Sequence, residues 1–378
     1  MQSIVVDKIC RIAYNALRMK PYVVAFHRWS KYTHNRFLKI WKGSGDLEYA
    51  WKKSTLQDLI SWGLEEDIAG TFLEERKKID PAREQEKLDK LHVHVLTIED
   101  EQYPILLKEI SDPPAILYIA GDVSLLSHSC LAVVGTRLMS AYGTQVIEYI
   151  IPGLVRAGLV IVSGLALGVD AYAHKVTLQQ KGKTVAVLGS GLDVLYPVQN
   201  KKLGEEILTS GGAVISEMPL GASPTSYSFP VRNRIISGLS RGTLVIEAKE
   251  SSGSLITAHC ALDQNRDVFA VPGNIFAANT GGTHNLIKAG EAKLVTTAED
   301  ILWELGFVIE DEDRDVENII LDNEHEKKIY GLLSKEPLFV DSIIQESGLP
   351  SSDVTAILTI LEMKGYVKNM GGMMWVKR

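Results

Sequence analysis

From residue 131 onward the chain alternates between short apolar runs rich in Val and Ile and longer segments of helical period, with a glycine-bearing turn after most runs. The runs fall at 131–135, 159–163, 184–188, 213–216, 243–248, 267–271 and 293–295. Runs that are apolar on both faces and separated by helices predict a mostly parallel sheet covered on each side. The expected fold class is α/β with a doubly wound sheet, whose ligands belong at the carboxyl ends of the strands. Gly135, Ser163, Gly164, Gly189, Ser216, Glu217 and Glu247 all fall at such ends.

The flanks carry other periods. Residues 1 to about 80 read as a small helical domain rich in Trp, Lys and Glu, in which Thr55 caps one helix and Gly63 stops it. Residues 91–96 alternate as a strand, with His92 and His94 on one face; two histidines without a third ligand read as surface residues. Asp112-Pro113-Pro114 punctuates the approach to the sheet, and the acidic stretch 310–317 reads as a solvated linker. Beyond Asn323 come a helix opening at 340–345, a turn at Gly348, a second helix capped at Ser351 or Ser352 and running to about Leu361, and a hairpin turned by Asn369-Met370-Gly371-Gly372. That is the pattern of a winged helix. Its second helix offers Ser351, Ser352, Asp353 and Thr355 where a duplex reader presents cations, which points to protein contact rather than duplex binding. The expected domains are 1–90 (helical), 91–308 (sheet), 309–322 (acidic linker) and 323–378 (winged helix).

Composition narrows the classes. At 378 residues, 46% hydrophobic and 23% charged, the chain has room for two or three domains and a large core. A formal net charge of −7 rules out a protein basic throughout. Yet Leu131 to Ala298 holds 14 Lys and Arg against 11 Asp and Glu, whereas Glu299 to Glu317 holds nine acids against one arginine, so the sheet region can bind an anion. Cys10, Cys130 and Cys260 have no paired spacing, which gives neither a disulfide frame nor a zinc site and fits the cytoplasm. Asp7, Lys8 and Arg11 interrupt the first apolar residues, unlike a signal peptide, and no segment approaches a membrane span.

Several strand-end turns carry candidate chemistry. Val134-Gly135-Thr136-Arg137 precedes a helix starting near Ser140 or Tyr142, so backbone N–H groups and a guanidinium can converge on a phosphate; the alternative is a tight turn with Arg137 in a surface ion pair. After Ser163-Gly164, Asp170 can cap a helix and stands four residues before His174, a spacing that serves a general-base pair or a helix-stabilising pair. Gly189-Ser190-Gly191 opens like a dinucleotide fingerprint, but Val194 stands where the third glycine is needed. Ser252-Gly253-Ser254 starts another anion-friendly helix, with a hydroxyl at Thr257.

In Phe229-Pro230-Val231-Arg232-Asn233-Arg234 two arginines and an aromatic run into an apolar helix. Arg232 and Arg234, two apart, point to different faces, and both call for an anion: a phosphate chain, or a carboxylate such as Glu217 or Glu247. Phe229, with Tyr227 beside it, can stack a base or fill the core.

These motifs together resemble the DNA processing protein A family (DprA/Smf). The resemblance is carried by Val134 to Arg137 with Tyr142-Gly143, Ser163 to Ala166 with Asp170 and His174, Ala186 to Asp193 with Tyr196-Pro197 and Asn200, and Ser216-Glu217. It continues through Phe229 to Arg234, Glu247, Ser252 to Ser254, Thr257-Ala258 and Val271-Pro272-Gly273. It implies an extended Rossmann-like domain between an N-terminal SAM-like helical domain and a C-terminal winged helix. It also implies binding of single-stranded DNA without sequence preference, a homodimer, and delivery of the strand to the RecA recombinase in natural transformation, with no cofactor and no catalytic step. By motif the DNA-binding residues would be Gly135, Thr136, Arg137, Ser163, Gly164, Phe229, Arg232, Asn233, Arg234 and Ser254, with Lys201 and Lys202 added by their place near Tyr196-Pro197. One departure is His27 to His34, which stands where the family carries a Gly-rich hairpin.

Two other classes stay open on the residues. A phosphoribohydrolase-like enzyme would use Glu217 or Glu247 as acid or base, although Gly281-Gly282-Thr283 is followed by Leu286 rather than by that class's glutamate. A winged-helix regulator would bind duplex through the C-terminal domain alone.

Overall fold

The computed structural model describes residues 20–307, 321, 323–334 and 336–377, and the chain divides into two compact units, Met1–Val308 and Ile309–Arg378. Asp7, Lys8, Cys10, Arg11 and the acidic stretch 310–317 lie outside the described residues.

The first unit begins with helices α1 (20–27), α2 (His34–Ser44), α3 (Leu47–Lys53), α4 (Leu56–Ser61), α5 (Glu66–Glu75) and α6 (Pro81–Lys90). Thr55 caps α4 as its sequence requires: its hydroxyl accepts from Asp58 N–H while the Asp58 carboxylate accepts from Thr55 N–H. The helices close over an aromatic cluster in which Phe26 stacks on Phe72 at 5.2 Å and meets Trp51 edge-on at 5.0 Å. That cluster continues into Val93, Val95, Ile116 and Tyr118 of the adjoining strands, so the helices bury one face of the sheet's edge.

The sheet has nine strands: β1 (Val93–Thr97), β2 (Ile116–Gly121), β3 (Cys130–Val134), β4 (Val160–Ser163), β5 (Thr184–Leu188), β6 (Ala213–Ser216), β7 (Gly242–Val245), β8 (Asp267–Ala270) and β9 (Lys293–Leu294). Their order is β1-β2-β6-β5-β4-β3-β7-β8-β9. Every pair from β6 to β9 is parallel, whereas β2 runs antiparallel to both β1 and β6. Connecting helices are α7 (Ile105–Lys108), α8 (Ala141–Arg156), α9 (Val169–Gln179), α10 (Lys201–Thr209), α11 (Ser228–Gly238), α12 (Ser254–Asp263), α13 (Gly281–Lys288) and α14 (Ala298–Glu304).

Strand side chains alternate between two apolar layers. Ala132 and Val134 join Ile235, Leu239 and Ala258 on one face, while Leu131 and Val133 join Ile147, Ile151 and Val176 on the other. The doubly wound expectation therefore holds. What the pattern missed is β2, an apolar run that reads like any core strand and whose antiparallel direction comes only from its pairing with β1 and β6. His92 also differs: it precedes β1 in a left-handed conformation, φ 51°, and does not share a strand face with His94.

The chain order fixes where a ligand can sit. From β3 the sheet grows through β4, β5 and β6 in one direction, and then β7 returns to the other side of β3. Connections leave β3 and β7 in opposite directions, which opens a crevice at their carboxyl ends.

The second unit comprises α15 (Glu324–Leu332), β10 (Leu338–Phe339), α16 (Val340–Ser347), α17 (Ser351–Met363), β11 (Val367–Gly371) and β12 (Met374–Lys377), with strand order β10-β12-β11. Ile329, Ile343, Leu358, Leu361 and Trp375 form its core. This is the expected winged helix. Two local details depart from expectation: α17 starts after Pro350 without a side-chain cap, and the hairpin turns one residue later, at Gly372-Met373, where both φ angles are positive.

Candidate functional site

Between the turns that follow β3 and β7 lies a cleft of about 760 Å³. Of the residues expected to bind, Gly135, Thr136, Arg137, Phe229, Arg232, Asn233 and Ser254 line it. The turn after β3 is held from below. Thr136 N–H donates to the Glu247 carbonyl at 2.7 Å, and the buried Glu247 carboxylate accepts from Ser140 N–H at 2.9 Å and from its hydroxyl at 2.5 Å. Leu138 N–H is taken by the Thr136 hydroxyl. Three of the turn's N–H groups are thus spent internally, two on the buried carbonyl and carboxylate of Glu247 and one on the Thr136 hydroxyl. The side chain of Arg137 is not spent in this way.

Arg137 is exposed, forms no ion pair among the described residues, and places its guanidinium over the Phe229 ring at 5.7 Å from the centroid. Phe229 in turn meets Tyr196 at 5.7 Å between centroids, with the rings tilted by 38°. A cation and two aromatic rings therefore form a ladder along the rim. Tyr196 and the exposed Lys249 also line the cleft and were not among the expected binding residues. Their signals in the sequence are thin: Tyr196 precedes a proline in a long loop, and Lys249 follows two residues after a strand-end glutamate.

Beneath the rim lies a buried charged floor. Arg232, 6% exposed, donates from Nη1 to the Gly164 carbonyl at 2.6 Å and to the Val187 carbonyl, and from Nε to Asn233 Oδ1 at 3.2 Å. Asn233 reaches on to the Gly253 carbonyl before α12 at 3.4 Å. Asp170 accepts from Gly164 N–H at 3.1 Å, reaching back across the turn instead of capping α9. Gly164 must be glycine, since a Cβ there would collide with the Arg232 guanidinium. Gly168 is constrained twice over, by φ 78° and by the Thr136 carbonyl where its Cβ would stand.

Burial acts on these charges in opposite directions. It pulls the Arg232 pKa down to about 10 against the pull of Asp170, so the guanidinium stays charged at neutral pH. It pushes the Asp170 carboxyl up, opposed by Arg232 and by N–H donors. It drives His174 down to about 3, with Arg232 adding to the effect, so this imidazole is neutral. His174 bonds Thr184 through Nδ1 at 2.6 Å and makes no hydrogen bond to Asp170, so the pair read from the i, i+4 spacing does not form.

The remaining expected residues do not reach the cleft lining. Ser163 donates to the Val133 carbonyl inside the sheet. Lys201 and Lys202 are exposed at the start of α10. Arg234 is turned to the other face of α11, where Nη2 grips both oxygens of Glu217 at 2.7 Å and Nε lies 3.3 Å from Asp112. Of the two arginines of the motif, then, one finds a carboxylate and the other forms the cleft floor. Glu217 and Glu247, the acid–base candidates of an enzymatic reading, are both engaged and neither lines the cleft.

The profile of DNA recombination-mediator protein A matches residues 94–306, and that of the DprA winged helix domain matches residues 320–373. DNA processing protein DprA of Streptococcus pneumoniae is 41% identical over 296 residues, 77% of this chain and 100% of that protein. The X-ray structure of DNA processing protein A from Streptococcus pneumoniae superposes with a TM-score of 0.65 at 41% identity, over 75% of this chain and 97% of that one. A Helicobacter pylori DNA processing protein A, solved for its single-stranded DNA binding mode, gives a TM-score of 0.52 at 30% identity, over 57% of this chain and 96% of that one. With its strand-end motifs, its sheet and its winged helix all accounted for, the chain belongs to the DNA recombination-mediator protein A family.

Proposed function

We propose that the chain binds single-stranded DNA along the cleft without regard to sequence and, as a homodimer in the cytoplasm, passes the strand to a RecA-type recombinase during natural transformation. The observation that carries this reading is the exposed Arg137 guanidinium, without an ion pair among the described residues, set over the Phe229 ring. A cation beside a ladder of rings matches a strand whose phosphates and unpaired bases both need partners. Arg137 and Lys249 take phosphates, while Phe229 and Tyr196 stack bases. Gly135, Thr136, Ser163 and Gly164 shape the turns, and Arg232, Asn233 and Ser254 form the floor. Lys201 and Lys202 meet phosphates farther along, and Arg234 seats α11 against Glu217. No catalytic step belongs to this reading, and no nucleotide cofactor. The Helicobacter pylori relative, described for its single-stranded DNA binding, supports it.

The test is a fluorescence-anisotropy titration with oligo-dT and with duplex of equal length, across a range of salt. Affinity should favour the single strand and fall with salt by a logarithmic slope of roughly −0.7 for each phosphate neutralised. Salt-insensitive binding, or a preference for duplex, would sink the proposal. Delivery is tested separately: recombinase filament formation on strands precoated with single-strand-binding protein should accelerate when the chain is added, and an unchanged rate would remove that part.

A further inference from the structure

A second cavity, of about 610 Å³, opens on the far side of the Arg137 turn, bounded by Ser140, Tyr142, Glu247, Gly273, Asn274 and Asn279. It shares structure with the cleft: Asn279 Nδ2 donates to the Leu138 carbonyl at 2.9 Å, tying the loop after β8 to the residue next to Arg137. Tyr142, whose hydroxyl donates to the Pro272 carbonyl at 2.6 Å, fixes the loop's other end. At the tip of this loop Phe276 is 91% exposed and Ile275 77% exposed, and Leu138, on the turn that Asn279 holds, is 73% exposed. An isolated exposed apolar side chain needs no explanation, but here three fall on two bonded loops beside a cavity.

The chemistry of the two hollows differs. Arg137, Arg232 and Lys249 line the cleft, whereas among the described residues no Lys or Arg lines the second cavity, and its one carboxylate, Glu247, already holds Ser140. A phosphate has no partner there. A neutral, flat, largely apolar group does: the Tyr142 ring and the side chains of Asn274 and Asn279 line the cavity, and the exposed Phe276 ring stands at the tip of the loop that bounds it. The volume falls within the range of small-ligand sites.

We infer that this cavity and its Phe276 lip form a second base-stacking station, which receives a nucleobase of the same single strand while Arg137 holds the phosphates between the two hollows. This rests on the proposed binding of single-stranded DNA and adds a site to it.

Two oligonucleotides of equal length, oligo-dT and a wholly abasic strand, separate base contacts from phosphate contacts. Phe276→Ala should weaken oligo-dT about tenfold and leave the abasic strand unchanged. Ala278→Leu, which fills the cavity without touching the lip, should give the same selective loss. Arg137→Ala should weaken both strands alike. If Phe276→Ala binds both strands like the unmodified protein, or loses both equally, the second station is overturned while the cleft stands on the Arg137 result. If the unmodified protein binds neither strand, the cleft reading and the station fall together. Phe276 is exposed, so an unchanged melting temperature checks that its loss acts on binding alone.

Discussion

The rim of the cleft and the layer directly beneath it use the same residue type for opposite purposes. Arg137 on the rim is exposed, has no acidic partner among the described residues, and rests only on a ring face. Arg232 in the floor is 6% exposed and gives its donors to two carbonyls and an amide. A guanidinium at the surface keeps its charge available to a ligand and costs the fold little. One taken out of water must be fully bonded, and then serves as a rivet between strand ends. Motif reading ranks the two alike; burial separates them.

That contrast can be broken most severely at the floor. Arg232→Met strands two buried carbonyls and leaves Asp170 without its cation, a loss of about 3–5 kcal/mol that urea unfolding would reveal. If stability is unchanged and only DNA affinity falls, floor and rim are not different in kind. Next comes pH. His174 would take up a proton near 6.5 in the unfolded chain but only near 3 when folded, so stability falls as pH drops through that window, by about 1.4 kcal/mol per pH unit. His174→Asn should remove one proton from that slope, as denaturation at successive pH values would show; an unchanged slope would mean the imidazole is not held neutral.

At the rim, Arg137→Ala should weaken oligo-dT about tenfold for all sequences alike and shallow the salt slope by roughly 0.7, with no change in melting temperature. A drop in stability would class Arg137 with Arg232. The smallest effect belongs to Lys201→Ala with Lys202→Ala, about twofold in affinity and again salt-dependent, since these cations stand apart from the cleft. A loss as large as that of Arg137 would move the strand's path toward α10.

Much of the sheet was legible because its strands are doubly buried and its helices amphipathic, a pattern that survives without knowledge of contacts. Strand positions agreed to within a residue or two at most ends, and the cap at Thr55, the start of α8 after Ser140 and the winged helix all followed from local chemistry. β2 escaped because direction and partner are properties of a pairing, not of a run. The candidate site was legible at Arg137, whose motif follows β3, and at Phe229, whose motif opens α11. Tyr196 and Lys249 escaped because their place in the cleft depends on how the loops after β5 and β7 fold back toward β3.

Alternation of apolar runs and helical segments determined an α/β sheet with glycine-bearing turns at its strand ends, since both follow from backbone hydrogen bonding and the burial of apolar faces. Which arginine stays open to solvent was decided only in three dimensions. Arg234 finds Glu217 and Asp112 on one side of α11, Arg232 finds the carbonyls of Gly164 and Val187 on the other, and Arg137 alone of these three finds no competing partner among the described residues. A charge's role depends on which groups surround it after folding, and those groups lie up to 122 residues away in the chain between Arg234 and Asp112.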